Sequence, residues 1–517
     1  MKKILYSLLA ISTLSLVSCK DDFLDSSPTE TLSTATVEQK VKGLYTLMIR
    51  MNTGNNEINY TGANPAHTDF GQKGWDIYTD MMSGDMALEG LNYGWYSTIA
   101  STDGQVNPTN DDSRQVWRSY YRMINAANEI IDILGGTNAV PTTAETKQQM
   151  AQAKAMRAYA YFNLLQMYTP KYNATAESIP LYTSFNPQAG PKATQEKVYA
   201  QIVDDLTKSI DYFNGFNREF KGQIDQGVAK GILAYVYAAM GKNAEAAVLS
   251  KSVINDYGYP LTTRTETYYD TVTSGGGGFN DVNTKSWMWG YDIVILNGLD
   301  LVSWWGMIDI FTYGYASVGD AKGIDANLYD SIGKDAAGNP IKDSQGKPIV
   351  DVRKLQFSNT ENEDYSDYIP MNKFFNAKRI EQGQRQVSDD YLFMRVDEFY
   401  LLAAETLAKS GQEAEAKTIL KKLLDVKMYG FSAPNVEEKV TGYIDALSGV
   451  ALQKEIYKQT RLELWGEGKT YMAMKRNQGT MVRGANHKFL VGVPIPYDDN
   501  RMYFKIPQSE VDNNPNF

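Results

Sequence analysis

Eight aromatic residues hold the clearest recognition chemistry in the sequence: Trp75, Tyr78, Trp95, Tyr96, Trp287, Trp289, Trp304 and Trp305. A sugar ring presents apolar C–H faces and a rim of hydroxyls. A rigid indole or phenol plane covers such a face, excludes water and loses little entropy in doing so. Asp76, Asp80, Asn92, Asp292 and Asn297 are candidates for bonding the hydroxyl rim, and Tyr93, Tyr313 and Tyr315 add further rings. On a strand, Trp287 and Trp289 would share one face. Trp304 and Trp305 would point oppositely if extended, which sends one of them to the core. The competing reading is structural: a long loop needs an apolar anchor, and a buried Trp supplies a large one.

Other chemistries have fewer means. The chain has 517 residues, one Cys and two His. A disulfide framework needs paired Cys, and a Cys/His zinc site needs four close ligands. His67 and His487 sit in no motif. There is no HExxH or GxSxG, and Gly275 to Gly278 lacks the Lys-Ser/Thr of a P-loop. No metal, cofactor or catalytic residue is expected. A formal charge of −10 argues against nucleic acid, which calls for clustered cations. A glycosidase needs only two suitably spaced carboxylates, and 61 Asp and Glu leave that reading open.

The elements that must position these residues are mostly helices. Trp117, Tyr120, Tyr121, Ile124, Ala127, Ile131 and Leu134 recur at helical spacing and stop at Gly135-Gly136. Ala155, Ala158, Tyr159, Phe162 and Leu165 make a second helix, and Val198, Ile202, Leu206, Ile210 and Phe213 a third. Two helix pairs share one turn grammar. One runs Val228 to Met240 and turns at Gly241; the other runs Tyr391 to Ser410 and turns at Gly411. Each turn glycine is followed by Glu-Ala, and alanines precede it, as in tetratricopeptide-type hairpins. A repeat of Asp, Gly and Pro at Asp335–Ile341 and Asp343–Ile349 predicts two tight turns. The long stretches around them, with little helical period, hold six of the eight Trp. Long loops of that kind are usually functional.

The N-terminus reads Met1-Lys2-Lys3, then an apolar run from Ile4 to Val17, then Ser18-Cys19. This is signal-peptide grammar, and the run falls short of the roughly 20 residues of a membrane span. Leu16-Val17-Ser18-Cys19 resembles a bacterial lipoprotein signal, with Cys19 as the lipid (palmitate) attachment point. Lys20-Asp21-Asp22 resembles the surface-export signal of Bacteroidota-type lipoproteins.

Taken in order, these segments resemble the SusD/RagB family of nutrient-binding lipoproteins. The resemblance rests on Cys19 with Asp21-Asp22-Phe23-Leu24-Asp25, and on Trp117 to Tyr121 with Ile124-Asn125 and Ala127-Asn128. It continues through Lys154 to Tyr159 and Ile179-Pro180-Leu181. Later it rests on Arg395, Glu398, Ala404-Glu405, Arg461, Glu463-Leu464, Glu467-Gly468 and Arg476, and on the tail Ile506 to Glu510 with Asn514-Pro515-Asn516. Ala473 and Gln152-Ala153 depart from the family pattern at scaffold positions. The polar motif residues read as partners of one another across facing helices, not as ligand contacts.

The resemblance implies a mainly α fold. Tetratricopeptide-like helical hairpins would form a right-handed scaffold, with long loop-rich insertions and a few short β-hairpins. Residues 1–18 would be the signal peptide and 19–517 one domain. Its helices would occupy roughly 36–50, 112–257 and 389–476, and its ligand-face insertions roughly 52–110 and 258–388. The implied function is capture of a glycan, or in some members a peptide, at the outer membrane. The protein would be lipid-anchored, face outward and act as the lid of a SusC-like TonB-dependent transporter, without covalent chemistry. A surface-tethered glycoside hydrolase and a tetratricopeptide-type protein scaffold without small ligand remain as other readings.

Overall fold

The computed structural model describes residues 35–50, 67–357 and 366–517. The signal peptide and Cys19 lie outside the described residues. The architecture is mainly α, with only short antiparallel strand pairs.

Local chemistry fixes the helix ends. α1 (Val37–Thr46) opens on a capping box between Thr36 and Gln39. The next helix in the chain, α2 (Gln72–Ser83), starts after Gly71 and is buried at every residue. α3 (Asp111–Ile133) is capped by Asn110 and places Asp111 and Asp112 in its first turn, where the helix dipole favours negative charge. α4 (Ala144–Tyr168) has a second capping box at Thr143 and ends two residues before Pro170. Its buried Ala151, Ala153, Ala155, Ala158 and Ala160 let its neighbours approach closely. α5 (Gln195–Tyr212) packs along it. A buried clip holds the pair: Asp205 accepts from Arg157 Nε and Nη2 at 2.8 Å and from Lys154 Nζ at 3.0 Å.

The two expected hairpins are present. α6 (Gln226–Ala239) and α7 (Asn243–Asp256) turn at Gly241, and α8 (Asp397–Lys409) and α9 (Glu413–Lys427) turn at Gly411. Both glycines have left-handed φ, +75° and +79°. α10 (Gly449–Glu463) and α11 (Thr470–Arg476) complete the scaffold. Among the described residues no helix is long and apolar enough to cross a membrane.

Four short strands matter for the site: β1 (Met86–Leu88), β2 (Trp287–Tyr291), β3 (Lys322–Ile324) and β4 (Tyr391–Arg395). β1 pairs with β3 and β2 with β4, both antiparallel. The helix expected from Tyr391 therefore begins later. Tyr391–Arg395 is fully buried and pairs with β2, while Asp397 and Glu398 supply the acidic first turn of α8. A second departure is α2, a helix within a stretch expected to be loop. Its buried residues include Gln72, Lys73, Asp76, Thr79 and Asp80, so polar side chains mask its helical period. The Asp-Gly-Pro repeat forms two like turns. Asp335 Oδ1 accepts from the Ala337 and Asn339 amides, and Asp343 Oδ1 from those of Gln345 and Lys347.

Motif arginines and glutamates bond one another as expected, but not from facing helices alone: Arg395 lies on β4 and Glu467 in the turn between α10 and α11. Arg395 binds Glu467 at 2.8 Å, Glu463 at 2.9 Å and Asp397 at 2.8 Å, all buried. Burial opposes the charge on Glu467, but Arg395 and Lys373 outweigh it and hold the carboxyl low. Arg476 binds Glu405 and Arg461 binds Asp85; the Glu405 carboxyl is held low, whereas burial outweighs the arginine at Asp85 and pushes its carboxyl up.

Candidate ligand-binding site

Seven of the eight aromatic candidates are core residues. Trp75, Tyr78, Tyr96, Trp287, Trp289, Trp304 and Trp305 are at most 2% exposed. A buried indole N–H needs an acceptor, and each partner found is internal. Trp75 Nε1 donates to Ser119 Oγ, Trp287 to the Gly278 carbonyl, Trp289 to that of Gly222, and Trp305 to that of Asp389. Tyr78 donates to Asp112 Oδ1 at 2.5 Å and packs edge-on against Tyr96. Trp287 and Trp289 do lie on a strand, but register shifts on either side of Trp289 break the simple alternation. Trp304 and Trp305 lie on a short helix, Trp304–Ile308, and both are buried; Lys73 Nζ sits 4.0 Å from the Trp304 ring. These rings anchor the insertions to the core and are not open to a ligand.

Trp95 is the exception. It is half-buried and lies at the centre of an aromatic cluster. His67 stacks on it, centroids 4.6 Å apart and planes 25° apart. Tyr315 meets it edge-on at 5.9 Å, and Tyr93 meets Tyr315 at 5.2 Å. Tyr93 is 60% exposed and the neighbouring Leu91 is 44% exposed. A hydrogen bond joins His67 Nδ1 to the Tyr315 hydroxyl. Burial pushes the His67 imidazole down, so it is neutral at physiological pH.

Two distant segments build this surface. The first leaves β1 at Leu88 and the second enters β3 at Lys322, its register partner. Buried Asp320 holds the first segment onto the second: its carboxylate accepts from the Tyr93 amide at 2.9 Å and the Trp95 amide at 3.4 Å. Asn92 Nδ2 donates to the Val318 carbonyl at 2.6 Å. Beneath, Lys322 donates to the Asp320 carbonyl, and burial brings its ammonium down to about 8. The segments touch backbone to backbone at Gly90, where a Cβ would run into the Gly319 carbonyl. Gly319 has φ +107°, and a Cβ there would lie 2.9 Å from that of Asn92. Close by in sequence, Tyr313 is half-buried under the Arg385 guanidinium, 3.7 Å from its centroid.

The expected polar rim is largely elsewhere. Asp76 is buried against Lys73 at 2.8 Å, and Asp80 is buried and accepts from the Gly468 amide and Thr470. Asn297 caps the turn at Val294, Asp292 is exposed beside it, and only Asn92 belongs to the Trp95 surface. His67 was not legible as a site residue: a lone His without a motif carries no signal until the fold stacks it on Trp95. Among the described residues, no group of three or more His, Cys, Asp or Glu is placed to hold a metal ion.

Comparisons with known proteins converge. A family model described as "Starch-binding associating with outer membrane" matches residues 22–237, and the SusD family model matches residues 307–517. Trp95 falls in the first match and Tyr315 in the second. A SusD-like protein of Bacteroides ovatus is 28% identical over 240 residues, which span 45% of this chain and 39% of that protein's length. Among solved structures, a SusD-like carbohydrate-binding protein from Bacteroides vulgatus has a TM-score of 0.70 at 21% identity, covering 93% of this chain and 96% of the other. A SusD superfamily protein from Bacteroides thetaiotaomicron has a TM-score of 0.70 at 20% identity, covering 93% and 98%. A laminarin-binding SusD-like protein has a TM-score of 0.58 at 19% identity, covering 93% and 99%. At these identities the structural likenesses establish the fold.

Proposed function

We propose a function from one premise, that the chain belongs to the SusD family: it captures an oligosaccharide at the Trp95 surface and does not cleave it. The observation that carries this reading is exposed Tyr93 and half-buried Trp95, backed by buried Tyr315 and locked in place from two segments. It offers a sugar ring a stacking plane with polar groups at its margin. Related proteins bear names that mention starch, carbohydrate and laminarin, which supports a glycan over a peptide.

In the same reading, residues 19–517 form one domain anchored to the outer membrane through lipid on Cys19 and facing outward. The domain serves as the lid of a SusC-like transporter.

Calorimetry of the purified chain against laminarin- and starch-derived oligosaccharides tests the site. Binding is expected to at least one, and Trp95→Ala should weaken it. Sustained release of shorter sugars, or equal affinity in Trp95→Ala, would overturn the reading. Metabolic labelling with a palmitate analogue, with Cys19→Ser as control, tests the anchor.

A further inference from the structure

Arg385 stands apart from the arginines that hold the fold together. Arg353, Arg395, Arg461 and Arg476 each meet a buried carboxylate. Arg385 is exposed, and among the described residues no hydrogen bond or ion pair engages its guanidinium. Its one contact is with Tyr313. The guanidinium carbon sits over that ring, 3.7 Å from its centroid, the closest cation–ring approach among the described residues. A guanidinium held on an aromatic face keeps its fork of N–H donors free for a ligand.

The fold fixes this pair beside the Trp95 surface. The chain around Phe311–Tyr313 runs next to the chain around Gly383–Arg385. The Tyr313 amide donates to the Gln384 carbonyl at 2.7 Å and the Gly383 amide to that of Phe311 at 3.1 Å, and Thr312 bridges Gln384 in parallel. Gln384 Nε2 also donates to Asp389 Oδ2 at 3.0 Å, which holds the residue before Arg385. Tyr313 lies two residues before Tyr315, the ring that backs Tyr93 and Trp95. Burial pushes the Tyr315 phenol up, and Tyr93, Asp320 and Tyr313 add to that push, so Tyr93 and Tyr313 both lie close to it. Arg385 therefore stands at the Tyr315 edge of the surface.

The acids of these segments are already engaged. Asp320 accepts from the Tyr93 and Trp95 amides, and Asp389 from Gln384 and Asn376. A neutral sugar hydroxyl offers the guanidinium an ordinary hydrogen bond. A carboxylate offers two parallel charge-assisted bonds, each roughly twice as strong.

We propose that Arg385 sets the ligand class of the Trp95 surface: an acidic oligosaccharide, with one ring on Tyr93 and Trp95 and the carboxylate of a nearby sugar unit on Arg385. Tyr313 is a positioning residue, since it carries the guanidinium without meeting the sugar. The inference deepens the Trp95 reading and rests on it.

The test is calorimetry of the full chain with trisaccharides of galacturonate, glucuronate and mannuronate. The methyl ester of each, which keeps the rings and removes the charge, is its control. At least one acid should bind about tenfold tighter than its ester. That preference should shrink between about 20 mM and about 300 mM salt. Arg385→Gln should bring the acid down to the affinity of the ester, with the ester and the urea midpoint unchanged. Arg385→Lys, which keeps the charge and loses the fork, should restore only part of the preference. Tyr313→Leu should weaken the acid and spare the ester, whereas Trp95→Ala should weaken both. Equal affinity for acid and ester would overturn the inference. So would wild-type affinity for the acid in Arg385→Gln, no binding of any acid at millimolar concentration, or tighter binding of hexaglutamate than of the uronates. In each of those cases, laminaritriose binding that needs Trp95 would leave the Trp95 reading standing alone. Acid binding that needs Arg385 and not Trp95 would overturn both.

Discussion

Trp287→Ala and Trp95→Ala should fail in opposite ways, because one ring is core and the other is surface. Trp287 is fully buried in β2, and its ring lies so close to Gly290 that a Cβ there would sit 2.7 Å from an indole carbon. Its N–H bonds the Gly278 carbonyl at 2.9 Å. Truncating a buried Trp to Ala costs about 3–5 kcal/mol. The orphaned carbonyl adds about 1 kcal/mol. The sum is comparable with the entire stability of many domains, about 5–15 kcal/mol. Trp95 is half-buried, so its loss should cost the fold about 1 kcal/mol or less. It should, however, remove the stacking plane, worth about 2 kcal/mol of binding from the area it covers and the ring contact. That is roughly a thirtyfold weaker dissociation constant. Urea melts followed by tryptophan fluorescence read the first effect, and calorimetry at a temperature where both variants are folded reads the second. A Trp287→Ala protein that melts like wild type yet loses its glycan would refute the assignment of that ring to the core. A Trp95→Ala protein that unfolds would refute the assignment of Trp95 to the surface.

Arg395→Met should destabilise by about 3–5 kcal/mol, since it takes from buried Glu467 its main partner and from buried Glu463 one of several; an unchanged urea midpoint would contradict the network's role. Burial lifts the carboxyls of Asp80 and Asp309 to about 7. A carboxyl with a raised folded pKa holds its proton more tightly when folded, so stability is fullest in mild acid and falls as pH rises from about 4 through 7. Between pH values of about 5 and about 8 the urea midpoint should therefore decline, and Asp309→Asn should flatten the slope. A midpoint that climbs over this window, or an unchanged slope in the variant, would count against it. Gly90→Ala should force the loop off the Gly319 carbonyl and weaken glycan binding at least tenfold, with little change in melting. Equal affinity in the two proteins would show that the loop contact does not set the site.

The scaffold was legible because its signals are local. Apolar residues at helical spacing, small residues and the two Gly turns each act within a few positions, and α3, α4 and both hairpins follow from them. The family resemblance is upheld by matches at both ends of the chain. The binding surface was less legible for a physical reason. Whether a loop Trp anchors or stacks depends on what packs over it, and that is decided by residues far away in sequence. Trp95 stays partly open because Asp320 ties its loop flat against the 315–320 segment. Trp305 is buried because the Asp389 carbonyl receives its N–H. Nothing in the identity of either Trp distinguishes the two cases. α2 was missed because buried Lys73–Asp76 pairing looks like surface composition when read residue by residue.

The Gly90–Gly319 contact bears on the timing of recognition as well as its shape. Two loop segments packed backbone to backbone should not need to exchange closed and open forms before a sugar lands. Association should then follow encounter alone, single-exponential and linear in ligand concentration, without a slow phase. Differences among sugars should be written almost wholly in how long each one stays.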